Sequence, residues 1–198
     1  MIRPSMRLGC VITAGLAAGA TACSDPQQGD GGMDATLIFA DAGCEASYAG
    51  WPQDPGLHVD TDASITWNTN PPSSGTHFPI WAHWGVHSEV VPRGYYVHNE
   101  EHGGVVLLYR CIAADCATTR QQLEAFVASL PVEPLCVPNG VQRRIVLTED
   151  PLIDSPIAAA AWGYTYRAQC FDDYSLRAFV LARTGLAPEQ SCLDGFYP

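Results

Sequence analysis

Eight cysteines in 198 residues constrain this chain more than any other feature. A chain so rich in thiols suits an oxidising compartment, where the pairs staple loops that a hydrophobic core alone does not hold. The first of them, Cys10, falls in an N-terminus that reads as a leader. Arg3 and Arg7 precede an apolar stretch from Leu8 to Ala20, too short to span a bilayer, and Ala20-Thr21-Ala22 ends it with a small-x-small site. Residues 1–22 are therefore read as a signal peptide. Cys23 follows directly, as in a bacterial lipobox, although Ala20 stands where leucine is usual. The expectation is an exported lipoprotein, acylated at Cys23 and anchored in a membrane facing the periplasm or the cell exterior. Residues 23–43 are rich in Gly, Asp and Gln, with one brief apolar run at Leu37-Ile38-Phe39, and read as a flexible tether.

Six cysteines remain: Cys44, Cys111, Cys116, Cys136, Cys170 and Cys192. No C-x-x-C pair is present, so bridges are expected in place of a thiolate metal site. The spacing suggests Cys111–Cys116 as a short loop, Cys136–Cys170 between neighbouring strands, and Cys44–Cys192 tying the ends of the domain.

Residues 44–198 are read as a single α+β domain. Val105-Val106-Leu107-Leu108-Tyr109 is a continuous apolar run, expected as a central strand. Thr118 to Leu130 carries Leu123, Phe126, Val127 and Leu130 on one helical face, with Thr119 and Gln122 as a capping box. Arg144 to Thr148 and Ala158 to Arg167 read as two further strands. A last helix starts at Asp172 or Asp173 and ends near Arg183, with Leu176, Phe179 and Val180 inward and Gly185 and Pro188 beyond its end. The expected fold is a small mixed sheet with two helices packed on it. Ahead of it lies a loop-rich, histidine-containing half, from Cys44 to about Gly104, and disulfides hold the whole.

Charge excludes several functions. The ten basic residues are all arginine, against 21 acidic ones, for a net charge of −11 that becomes −13 once Arg3 and Arg7 leave with the signal. Without lysine there is no Schiff base and no phosphate-loop lysine. The acidic balance argues against nucleic acid as a partner. A small-molecule, glycan or protein partner stays open, and Trp51, Trp67, Trp81, Trp84, Tyr95 and Tyr96 on Pro/Gly-rich loops are the residues that would serve a glycan or protein.

Histidine carries the chemistry. His77, His83, His87, His98 and His102 crowd into one short stretch, and His58 lies shortly before. Imidazole is the commonest side-chain metal ligand. His98 to His102 also fits H-x-x-E-H, an inverted zinc-protease pattern that needs a helix. Gly103-Gly104 and the apolar run behind them argue against a helix there. A shared site for His98 and His102 then needs a turn, since on an extended strand they would stand about 13 Å apart. The expected ligands are His77, His98 and His102, completed by His58 or Glu101, with Glu101 as a possible general base. With cysteines in bridges, such N/O donors suit Zn or Cu. Whether the protein is an enzyme is left open. Ser73 and Ser74 lie in a proline loop and form no nucleophile elbow.

Several elements resemble those of a bacterial family, domain of unknown function 3105. They are Gly56-Leu57-His58-Val59, Asn70-Pro71-Pro72-Ser73-Ser74-Gly75-Thr76-His77, the run from Val97 to Val105, Ala161-Trp162-Gly163, and Ala187-Pro188-Glu189 with Cys192. The resemblance implies an exported or membrane-anchored domain and singles out His58, His77, His98, Glu101 and His102. His83 and His87 match no element of it. Two departures stand out: Trp84-Gly85-Val86-His87 replaces a Cys-Gly-x-Tyr element, and Asn99-Glu100 replaces Ser-Leu.

Overall fold

The computed structural model describes residues 33–39, 43–111 and 116–198. Residues 1–22, read as a signal peptide, and Cys23 lie outside the described residues. One mixed sheet of seven strands organises the chain, in the order β1-β2-β7-β6-β4-β5-β3. In chain order these are β1 (Met33–Phe39), β2 (Glu45–Gly50), β3 (Gly85–Val86), β4 (Val105–Tyr109), β5 (Ile145–Glu149), β6 (Ile157–Ala161) and β7 (Tyr164–Ala168). Three helices accompany them: α1 (Arg93–Glu101), α2 (Cys116–Ser129) and α3 (Asp173–Arg183). β4 and β5 are parallel and joined through α2, β3 also runs parallel to β5, and every other strand pairing is antiparallel.

β4 is apolar at every position because both faces of the sheet are covered. Alternate residues point to opposite sides. Val105, Leu107 and Tyr109 meet Leu123, Phe126, Leu176 and Phe179 of α2 and α3. Val106 and Leu108 face the other layer, with Tyr96 and Val97 of α1, Ala82, Val91 and Trp162. The α+β expectation holds, and α1 adds a third helix, on the face opposite α2 and α3. The half of the chain read as loop thus forms a second layer.

Five expectations are corrected. The first is α1 itself, placed where Gly103-Gly104 argued against a helix. Those glycines end the helix and do not prevent it. Gly103 adopts φ +85°, and the N–H groups of Gly103 and Gly104 return to the carbonyls of Glu100 and Asn99. The second is the strand from Ala158 to Arg167, which is a hairpin. It folds back at Trp162-Gly163, where Gly163 takes φ +78°. The third concerns the tether: 33–39 pairs along β2 as an edge strand. Backbone pairing holds it there, which a composition argument about side-chain burial does not weigh. The fourth is the disulfide pairing. Cys111–Cys116 forms, but the other bridges are Cys44–Cys170 and Cys136–Cys192, with Cα separations of 5.6 and 4.8 Å. Cys44 precedes β2 and Cys170 follows β7, and antiparallel pairing of those strands brings the two together. Fifth, Thr119 lies inside α2, not at its cap, whereas Asp172 does cap α3, accepting from Ser175 N–H at 2.8 Å.

Candidate metal centre

Three segments converge beyond the edge of α1. His58 and His77 face each other across a short parallel bridge, in which His77 N–H donates to Leu57 O and Val59 N–H to His77 O. The loop ahead of His77 is held from within. Ser74 Oγ accepts from Asp54 N–H and Ser73 Oγ lies 3.2 Å from Thr69 Oγ1, so both serines have structural roles. α1 supplies His98 and Glu101, three residues apart and so on one helical face, with His102 at its C-cap. The helix seats closely because Gly94 lets its backbone lie on the Phe78 ring, which a Cβ would strike at 2.5 Å.

Ligand atoms of His58, His77, His98 and Glu101 all lie within 4.8 Å of one another. Metal bonds of about 2.1 Å place tetrahedral ligand atoms about 3.4 Å apart, so this set closes on an ion by side-chain adjustment alone. His77, His98 and Glu101 are buried and His58 is exposed, which leaves one side of the cluster open to solvent.

Backbone carbonyls set the imidazole tautomers. His77 Nδ1 lies 2.8 Å from Gly75 O, and His98 Nδ1 lies 2.7 Å from Phe78 O. A carbonyl only accepts, so each Nδ1 carries the proton and each Nε2 presents a lone pair. This is the arrangement that orients metal-bound histidines. Burial draws His77 down to about 4 and His98 to about 3, so both rings are neutral near pH 7. Burial, with the Glu189 charge adding to it, raises Glu101 to about 6. Glu101 Oε2 lies 3.0 Å from His77 Nε2, yet that buried nitrogen has no aligned hydrogen bond among the described residues. Two electron-pair donors therefore face each other on the buried side of the cluster, an arrangement that a cation between them stabilises.

His102 stands beside this group of four. Its Nε2 is 3.2 Å from His98 Nε2 and 3.3 Å from Glu189 Oε2. The H-x-x-E-H spacing does bring its two histidines together, through the helix that the sequence reading set aside. Trp81 packs edge-on against His102, 4.3 Å between ring centroids, and lies tilted against His98 at 5.0 Å. His83 and His87 lie apart. His83 pairs with Asp194 at 2.9 Å, and His87 bonds to His83 O.

Two residues escaped the sequence reading. Gly56 lies against the Glu101 carboxylate so closely that any Cβ would overlap its oxygens. Glu189 arrives on the C-terminal segment. Both belong to elements that carried the family resemblance, which was the signal available. Of the aromatics suggested for a glycan or protein, Trp51, Trp67 and Trp84 donate their indole N–H to Thr165, Thr76 and Leu193, and Tyr96 is fully buried.

The model of a family described as protein of unknown function (DUF3105) matches residues 58–193. That is most of the chain, and the chain belongs to this family. Its members are defined by a shared domain, and here that domain contains the histidine–glutamate cluster. No curated protein and no solved structure matches the chain.

Proposed function

We propose that this is an exported lipoprotein, acylated at Cys23, whose domain binds a transition metal, Zn²⁺ or Cu²⁺, through His58, His77, His98 and Glu101. The observation that carries the reading is the pairing of His77 Nε2 with Glu101 Oε2 at 3.0 Å without a hydrogen bond, while Nδ1 is committed to Gly75 O. The donors are nitrogen and oxygen, which suits these two ions. The bridges Cys44–Cys170, Cys111–Cys116 and Cys136–Cys192 suit an oxidising compartment. Exposed His58 leaves room for water or a substrate on the ion, and Glu101 lies within reach as ligand or base.

Metal analysis of the chain exported into zinc- and copper-supplemented medium tests the reading. At least one equivalent per chain is expected in the wild type, and one equivalent fewer in His77→Ala. A wild-type content below a tenth of an equivalent overturns it. Labelled fatty acid is expected to enter the wild type and not Cys23→Ser; equal labelling of both overturns the anchor.

A further inference from the structure

We infer that the cluster holds a second divalent cation, on His98, His102 and Glu189, beside the first on His58, His77 and Glu101; this rests on the metal reading above. His102 Nε2 faces two acceptors. One is the lone pair of His98 Nε2, at 3.2 Å, bare because His98 Nδ1 donates to Phe78 O; the other is Glu189 Oε2, at 3.3 Å. A neutral imidazole carries one N–H and satisfies one of them. With its proton on Nε2 the ring leaves the buried His102 Nδ1 with no hydrogen-bond partner among the described residues. A cation seated among the three atoms is held by all of them at once. The separations of 3.2 and 3.3 Å are close to the edge of about 3.4 Å that tetrahedral bonds of ~2.1 Å require.

The third ligand is positioned by the fold. Glu189 lies on a C-terminal segment that runs across the end of α1. Gly185 N–H donates to Gly103 O, Glu189 N–H to Glu101 O and Ser191 N–H to His102 O. The Cys136–Cys192 bridge fastens this segment, and Arg144 holds His102 O at 2.9 Å. His98 Nε2 carries one lone pair and serves one ion at a time: it completes the first site when one cation is bound, and with both bound it goes to the second while His58, His77 and Glu101 keep the first. With both bound, each cation has three protein ligands, which leaves a position on each open to water or substrate.

Titration of the chelator-treated full chain with Zn²⁺, read by calorimetry and by metal content after dialysis, tests this. Two equivalents are expected for the wild type, and one for both Glu189→Gln and His102→Ala. Glu189 is 62% exposed, so Glu189→Gln leaves packing intact and reports even if His102→Ala fails to fold. One equivalent in the wild type, or two retained by Glu189→Gln, overturns the second position and leaves the first standing. No zinc bound at all overturns the metal reading itself.

Discussion

Glu100 sits near the end of α1 with its carboxyl fully buried, and neither oxygen meets a hydrogen-bond partner among the described residues. Burial raises its pKa well above the ordinary carboxyl value, so it is held as the neutral acid. An unpaired buried polar group costs about 1–3 kcal/mol. Glu100→Leu, which matches the shape and restores the residue usual in the family resemblance, is expected to stabilise the protein by about that amount in urea melts. The gain grows with pH above 4.5. There the unfolded carboxyl ionises freely and the folded one does not, so the unfolded state binds fewer protons and the wild type loses stability. An unchanged midpoint at pH 7 would count against an unpaired carboxyl.

His77 and His98 titrate in the opposite sense. Their folded values, about 4 and about 3, lie below the 6.5 of the free side chain. The unfolded chain binds more protons across that interval, so the metal-free protein is expected to lose stability as pH falls from 6.5 toward 3. Glu101, raised to about 6, offsets part of this between 4.5 and 6, and Glu100 acts in the same direction above 4.5, so the measurement is made in Glu100→Leu. Equal denaturation midpoints at pH 7.5 and pH 5 in that variant would contradict neutral, buried rings. Gly56→Ala isolates the role of the carboxylate. The added methyl displaces Glu101 from His77 at an exposed position, so zinc affinity is expected to drop about ten- to a hundredfold with thermal stability of the metal-free protein unchanged.

At the scale of elements, the strands and helices with one strong pattern were legible. β4 stood out as a continuous apolar run, and α3 by its Asp172 cap and the Leu176, Phe179 and Val180 face. α2 was visible from the same periodicity, although its start at Cys116 was not. α1 was not legible because its residues, Tyr-Tyr-Val-His-Asn-Glu-Glu, place buried polar groups where an amphipathic pattern expects apolar ones. Almost all of its second half is buried, including His98, Asn99, Glu100 and Glu101. Asn99 shows why such a helix is stable: its side chain accepts from Ala82 N–H and donates to Ala82 O, both at 2.9 Å, so a buried amide is satisfied by a loop distant in sequence. The hairpin of β6 and β7 was hidden for a different reason. Its turn is two residues long, and Trp162 ahead of Gly163 lacks the usual asparagine or aspartate signal.

Taken as a whole, the molecule is a sheet covered on both faces, with the cluster built in the irregular layer and braced against α1. The C-terminal segment reaches that layer and is fastened by Cys136–Cys192. Cys136→Ala with Cys192→Ala is expected to lower stability by roughly 4 kcal/mol on a loop-entropy account of a bridge spanning 56 residues, measured by chemical denaturation. A loss under about 1 kcal/mol would mean that the segment is held by its backbone bonds to α1 alone. Among the described residues no helix is long and apolar enough to cross a membrane.

The sequence by itself determined the α+β class, the apolar faces of β4, α2 and α3, the pool of six cysteines for bridges, and the short list of histidines worth attention. Those follow from local periodicity and composition. Tertiary structure decided which cysteines pair and which ligand atoms converge. Cys44 meets Cys170 across 126 residues because β2 pairs with β7. His58 meets His77 through a backbone bridge, and Glu101 joins them only because a glycine at position 56 leaves it space. Such contacts depend on how separate elements pack, and no local pattern of residues encodes that packing.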